Sequence, residues 1–560
     1  MTVMTIRVLD RELVSKIAAG EVIERPASVV KELIENSLDA GATRIEVEAR
    51  DGGVELIKVS DDGAGIPGSE VDLAFRRHAT SKIGGVGDLE KIGSLGFRGE
   101  ALPSIAAVAE MELFTQAHSD TAGTCASLAK GEIVRCESRA RAPGTTVTVR
   151  RLFRYFPARL KFLKSVGTEN GHIAHLVSQY ALAFPGVRFT LVLDKRVSLR
   201  TTGSGSLRDV VGEVYGPEMA QAMLEVAQKG DMYKVEGLVS PPSLARSGRN
   251  HLSFFVNRRW VRSPLLARAT EEAYRGLLME GRHPVAVISI SIPPHELDVN
   301  IHPAKAQVKF SHEQAVFGSV RKAVEEALAG TPVARSRAAP FPVGGGHSHS
   351  PRMITDTAPV FDVARLPTME LPLLRVVGQL GNTYIIAEGP DGLYLIDQHA
   401  AHERVLYDRI LAQRSQNAVE VQGLLQPVTL ELSPREEETL RSGREFLATF
   451  GFDIEPFGDR SYLIRAVPAV TVGSDAVETL SALLEDLSGG KDAGPRQEKV
   501  AQSLSCHGAV KSGQQLSSEE MRGLIKQLEE TKQPRTCPHG RPTMIHLSSR
   551  QLEKDFGRIT

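Results

Sequence analysis

The 560-residue sequence contains only four cysteines, too few and too scattered for a disulfide framework. No apolar run approaches the roughly 18 residues a membrane span needs, and the opening Met1 to Asp10 already mixes in Arg7 and Asp10, unlike a secretory signal. A cytoplasmic location is therefore expected. The formal net charge of -1 removes any global attraction to nucleic acid, so a DNA contact would have to come from local patches. No GxxxxGK[ST] loop occurs, which disfavours an ordinary P-loop ATPase. No internal repeat is visible. What remains is a soluble globular composition, 41% hydrophobic and 24% charged, at a length that suits about three or four domains.

Two segments near the start carry the most chemistry. If Glu32 to Gly41 is helical, Glu32, Asn36 and Asp39 fall within about 60° of one another on one face, and Val30, Leu33, Ile34 and Leu38 form an apolar stripe on the other. Two carboxylates and an amide on one face offer a base for water and oxygen ligands for a hard cation such as Mg²⁺. A solvated helix face would read the same way in isolation. The second segment is a strand, Arg44 to Ala49, a turn at Asp51-Gly52-Gly53, and a strand from Val54 that runs into Asp61. Asp61 can accept from an exocyclic amine, and Gly63 and Gly65 let the backbone come close to a bound base.

Arg77 to Lys82 leads into a stretch with glycines at 84, 85, 87, 93, 96 and 99. Gly96-Phe97-Arg98-Gly99-Glu100-Ala101-Leu102 then reads as a helix start, with free amides and the positive helix end gathered at one phosphate seat. Gly144-Thr145 adds a tight turn before the alternating strand Thr146 to Arg150. Two basic patches could meet DNA phosphates without reading bases. One holds Arg150, Arg151, Arg154, Arg159, Lys161 and Lys164; the other, around Phe254, holds Arg246, Arg249, Arg258, Arg259 and Arg262.

Val287 to Ile292 reads as a strand and His312 to Leu328 as a helix, after which Thr331 to Glu370 loses all periodicity and fills with proline, glycine and a His347-Ser348-His349-Ser350 tract. Beyond this linker, strands at Thr383 to Ala387 and Leu393 to Ile396 lead to Asp397-Gln398-His399. A helix starting near His399 puts His399 and Glu403 one turn apart on one face, a spacing that suits a divalent metal. Cys506-His507 and Cys537-Pro538-His539 add soft and imidazole donors of the kind zinc takes. Each such group alone is more often structural.

In order and wording these pieces resemble the GHKL ATPase superfamily, and within it the MutL mismatch-repair family: KELIENSLDAGA, RHATSKI and GFRGEAL, then Leu152 to Leu163, Phe255 to Val261 and Asp298 to Lys305. The resemblance implies an α/β (α+β) chain. A GHKL ATPase sandwich would span 1–205, an S5-like transducer domain 206–331, a flexible linker 332–370, and an α/β dimerisation and endonuclease domain 371–560. It also implies ATP and Mg²⁺ as cofactors, with Glu32 as general base, Asn36 on Mg²⁺ and Asp61 on adenine. Gly96, Phe97, Arg98, Gly99, Glu100, Ala101 and Leu102 would cradle phosphates, and Lys305 would sense the γ-phosphate. Asp39, Gly63, Gly65, Thr80, Ser81, Lys82 and Thr145 would complete the nucleotide pocket.

The C-terminal motifs resemble the metal-dependent endonuclease form of the family. That likeness makes Asp397 the catalytic carboxylate and His399, Glu403, Cys506, Cys537 and His539 ligands to Zn²⁺ or Mn²⁺. The sequence departs from the family at Asp408, where a second glutamate is usual, and at Ser505 and His507 beside the cysteine. Gln422 to Pro427 resembles the short segment with which relatives dock on the sliding clamp. The implied protein is a bacterial, nucleoid-associated homodimer that partners a mismatch-recognition protein of the MutS family and double-stranded DNA, gated by ATP and nicking DNA. The rival is a non-cutting ATP-dependent scaffold with a structural C-terminal metal. A topoisomerase-like or kinase member of the superfamily lacks any supporting tyrosine, receiver or phosphoacceptor segment.

Overall fold

A computed structural model describes residues 23–82, 94–96, 99–229, 233–278, 282–298, 308–329, 371–416, 418–489, 496–510, 513–556 and 558. The chain divides into two compact units: 1–329 together with 416–503, and 330–415 together with 504–560. Lys305, Phe97, Arg98 and the expected linker lie outside the described residues. Among the described residues no helix is long and apolar enough to cross a membrane.

The first unit is built on an eight-stranded sheet. Its strands run, edge to edge, Glu132–Arg139, Gly123–Ala129, Glu110–Gln116, Gly144–Arg150, Leu56–Asp61, Arg44–Arg50, Arg188–Leu193 and Arg196–Arg200. Only the pairing of Arg44–Arg50 with Arg188–Leu193 is parallel, and the helix Val166–Ala183 precedes the second of these strands. That helix starts where the Ser165 hydroxyl accepts from the Thr168 amide, and it is buried along most of its length.

The pocket helix, Pro26–Asp39, packs against it. Proline at the first turn needs no amide partner there, and Val29, Val30, Leu33 and Ile34 are buried in the main core. The stripe read from sequence is thus the packed face, with Leu38 only partly covered. Truncating Leu33 to alanine would cost about 2–5 kcal/mol.

A second module follows. Its five-stranded sheet runs Arg259–Val261, Leu252–Val256, Ala286–Ser291, Lys234–Val239 and Leu224–Lys229, and carries the helices Pro264–Ala273 and Glu313–Ala329. The segment 416–503 forms a three-stranded sheet, Val421–Glu431, Ser461–Pro468 and Asp453–Pro456, with the helices Pro434–Ala448 and Ala476–Gly489. Ser433 and Glu436 close a capping box at the start of Pro434–Ala448. That helix lies against Val166–Ala183, where Arg196 pairs with the buried carboxylates Glu437 and Glu438.

In the second unit a four-stranded antiparallel sheet runs Arg375–Leu380, Tyr384–Gly389, Gly392–Asp397 and Met544–Ser548. Ile385, Ile396, Ala401, Val405, Leu524 and Leu528 share its core with the helices Gln398–Ser415 and Ser518–Glu529. The strand Gly392–Asp397 passes directly into Gln398–Ser415, which sets His399 and Glu403 just past a strand-to-helix junction.

Candidate functional site

The pocket helix and the strand Leu56–Asp61 meet through Ser37, whose hydroxyl donates to Asp61 Oδ2 at 2.7 Å. Asp61 Oδ1 accepts from the amides of Gly63 at 3.0 Å and Thr145 at 3.2 Å. Burial pushes the Asp61 carboxyl above its ordinary range, against the pull of these bonds. Gly65 sits at φ 73°, and a Cβ there would lie 2.0 Å from the Gln116 carbonyl oxygen. Its glycine is thus demanded by a neighbouring strand's backbone, whatever ligand also approaches. Gly99, at φ 62°, is pinned in the same way against the Ala79 carbonyl.

Asn36 and Asp39 converge on one cation. The Lys82 ammonium lies 2.9 Å from Asn36 Oδ1 and 2.6 Å from Asp39 Oδ2. Asp39 also accepts from the amides of Leu95 and Gly96, at 2.8 and 3.0 Å. A Cβ on Gly96 would come within 3.3 Å of the Lys82 nitrogen. The amide and carboxylate oxygens of Asn36 and Asp39 are the hard donors that Mg²⁺ takes. The Thr80 hydroxyl accepts from the Lys82 amide, and Ser81 is exposed beside it. The helix Ala101–Val108 opens at Glu100 with no side-chain cap, which leaves its first amides available to an anion; Leu102 is partly buried in the core.

Glu32 lies on the same helix, one turn before Asn36. Lys31 bridges it to Glu35, at 3.1 and 2.9 Å. Burial alone would lower the Lys31 ammonium, but the Glu32 and Glu35 carboxylates outweigh it and push it up to about 12. Sequence reading missed Lys31, Glu35 and Ser37, because each takes its meaning from a tertiary partner. Only Ser37 left a trace, as a small hydroxyl residue on the polar run of the helix.

The basic patches differ from expectation. Arg259 is buried and donates to the carbonyls of Ser94 and Leu95. Arg151 and Arg154 both pair with Glu110, and Arg249 with Glu271. Alternating sequence cannot show that a guanidinium is already spent inside the fold.

In the second unit, His399, Glu403 and Cys506 form one group of donors and Glu403, Cys537 and His539 another. Within each group the ligand atoms lie no more than 4.8 Å apart. Glu403 belongs to both, buried, with Oε1 3.3 Å from His399 Nε2 and Oε2 3.3 Å from His539 Nδ1. The His399 Nδ1–H donates to the Val510 carbonyl at 2.9 Å, which turns Nε2 toward Glu403. Val510 in turn donates its amide to His402 Nδ1. Hydrogen bonds to Cys506 and Glu403 push His399 up to about 10. Burial raises Glu403, but its bonds to His399 and His539 prevail and hold it well below the carboxylate range. The mixed Cys, His and Glu donors fit zinc or a similar metal.

Two other residues are committed elsewhere. Asp397 Oδ1 accepts from the His399 and Ala400 amides at 2.9 and 3.1 Å, capping the helix Gln398–Ser415. Asp408 pairs with Arg404 and accepts from the Lys532 amide. Gln422 to Pro427 lies on the strand Val421–Glu431, with Leu425 fully exposed and the pairing to Ser461–Pro468 interrupted between Gly423 and Val428.

Residues 23–144 match the model of the histidine kinase-, DNA gyrase B- and HSP90-like ATPases, residues 211–329 that of the DNA mismatch repair protein C-terminal domain, and residues 377–516 that of the MutL C-terminal dimerisation domain. The chain is 43% identical to the DNA mismatch repair protein MutL of Desulforudis audaxviator and 42% identical to that of Methanothrix thermoacetophila, over 99% of each chain in both cases. A solved N-terminal domain of a DNA repair protein superposes with a TM-score of 0.50 at 27% identity, covering 56% of this chain and 98% of that one. With a gyrase-type ATPase domain in front and a MutL dimerisation domain behind, the chain belongs to the MutL family of DNA mismatch repair proteins.

Proposed function

We propose that this protein is an ATP-gated homodimer that nicks DNA during mismatch repair. In the nucleotide pocket Asp61 would accept from the adenine amine, and the Gly96 and Gly99 to Leu102 backbone would cradle phosphates, with Thr80, Ser81 and Lys82 beside them. Glu32 would deprotonate the attacking water. Asn36 would hold Mg²⁺, which supplies charge neutralisation between the phosphates. Lys305 would report the γ-phosphate. Closure of the N-terminal domains on ATP is then a population shift driven by contacts made only with the triphosphate.

At the C-terminal centre His399, Glu403, Cys506, Cys537 and His539 would hold Zn²⁺ or Mn²⁺. Such an ion lowers the pKa of bound water and offsets charge on a scissile phosphate. Asp397 would orient that water and take its proton. The observation that carries this reading is the convergence of two donor groups on the single buried carboxylate of Glu403. The exposed Gln422 to Pro427 would dock on a sliding clamp, and basic side chains such as Lys161 and Lys164 would meet DNA phosphates. A MutS-family protein would recruit the dimer.

A second reading is a scaffold whose C-terminal metal is structural. It is favoured by the duties already placed on two carboxylates, since Asp397 caps a helix and Asp408 pairs with Arg404. Supercoiled plasmid with Mn²⁺ separates the two. Wild type should convert it to open circles and Asp397→Asn should not. Intact plasmid in both, with ATP turnover that depends on Glu32, would establish the scaffold.

A further inference from the structure

Lys31, partly exposed, links the proposed base to the buried pair Glu35 and Tyr180. The Tyr180 hydroxyl, on the helix Val166–Ala183, donates to Glu35 Oε1 at 2.7 Å. The same oxygen lies 2.9 Å from the Lys31 ammonium, and that ammonium lies 3.1 Å from Glu32 Oε1. Glu35 is 6% exposed and Tyr180 4%. Glu35 Oε2 is buried with no hydrogen-bond partner among the described residues, so the carboxylate is held from one side only, by Lys31 and Tyr180. Burying a carboxylate on so few bonds is costly unless a nearby charge offsets it. Arg259 and Asp39 lie close enough to act on each other electrostatically, as do Arg259 and Glu35.

We propose that Lys31, held by Glu35 and Tyr180, is a positioning residue that orients Glu32 and keeps it ionised when a triphosphate arrives. The inference rests on Glu32 being the base that activates water. A carboxylate brought next to phosphate oxygens is driven toward its neutral form, by like charge and by burial. A neutral carboxyl cannot accept the proton of water. The Lys31 ammonium opposes both effects at 3.1 Å, and it cannot swing away because Glu35 fixes its other side. Glu35 cannot follow Lys31 because Tyr180 anchors it to a second helix. Neighbouring residues on a helix do not ordinarily face one another, whereas i,i+4 pairs do, so the Glu35 partner holds the Lys31 ammonium where it also meets Glu32.

The test uses the full chain and measures ATP turnover from pH 5.5 to 9, together with ADP affinity. Lys31→Met should lower kcat at neutral pH by about ten-fold, less than the roughly hundred-fold or more that a general base itself contributes, with KM and ADP affinity changed less than about two-fold. Its acidic limb should move up by roughly one pH unit, as loss of an adjacent opposite charge requires. Lys31→Arg should restore the limb, and Tyr180→Phe should shift it in the same direction by less. An acidic limb in Lys31→Met identical to wild type would overturn the proposal, as would a loss that Lys31→Arg does not restore or one that falls equally on ADP binding. Should Lys31→Met not fold, Glu35→Gln and Tyr180→Phe carry the same reading. Glu32→Ala runs in parallel: persistent turnover there refutes the base itself, whereas a dead Glu32→Ala beside an unshifted Lys31→Met refutes only the positioning.

Discussion

The Lys82 ammonium sits 2.6 Å from Asp39 Oδ2, while Asp39 also receives the Leu95 and Gly96 amides. One carboxylate thereby ties together chain segments on either side of residues 83–93. Asp39→Asn should release both. The expected result is ATP affinity lowered by about ten-fold or more, in keeping with loss of charge-assisted bonds worth roughly 1.5–3 kcal/mol, read by calorimetry with a non-cleavable analogue.

Ser37 is the bond that joins the pocket helix to Asp61. Ser37→Ala should cost about 1 kcal/mol of stability, the usual net value of such a bond, and weaken ADP binding several-fold because Asp61 loses its orientation. Asp61→Asn should abolish adenine recognition while leaving the melting temperature nearly intact. Equal binding of ATP and GTP by the wild type would contradict the role given to Asp61.

Metal uptake at the C-terminal centre should release protons. Hydrogen bonds to Cys506 and Glu403 push His399 up to about 10, so a metal that takes its ring nitrogen below that pH displaces a proton. Affinity for Zn²⁺ or Mn²⁺ should therefore rise with pH through the neutral range, up to about ten-fold per unit for one proton released, and fall as pH drops. Calorimetric titration in buffers of different ionisation enthalpy reads the proton count directly.

Arg196 meets Glu437 and Glu438, which are 1% exposed. Arg196→Ala would leave two buried carboxylates short of a partner. Breaking a buried pair costs about 3–5 kcal/mol; because the guanidinium is itself about a third exposed, about 2 kcal/mol is expected. Thermal unfolding should show the loss, and protease access should rise within 416–503.

Much of the pocket is legible in the sequence because local periodicity dictates it. The run from Glu32 to Asp39 separates an apolar stripe from a polar one, and burial follows that stripe. Likewise His399 and Glu403 meet because one helical turn brings them together. Tertiary choices are not written locally. Nothing in the sequence places Tyr180 on Glu35, 145 positions away, or spends Arg259 on the Ser94 and Leu95 carbonyls. Asp397 shows a different gap: an Asp ahead of a helix is an ordinary N-cap, while the family resemblance implies only chemistry for it. The packing of 416–503 with the N-terminal unit depends on surface complementarity that no single-sequence pattern reports.

Glu403 is shared by both donor groups. The most direct measurement is metal content and plasmid nicking on the same preparations of wild type and Glu403→Gln, after loading with Zn²⁺ or Mn²⁺ and dialysis. The prediction is retained metal and nicking in wild type, and loss of both in Glu403→Gln with ATP turnover preserved. Metal held equally by both proteins, or nicking that survives in Glu403→Gln, would contradict it.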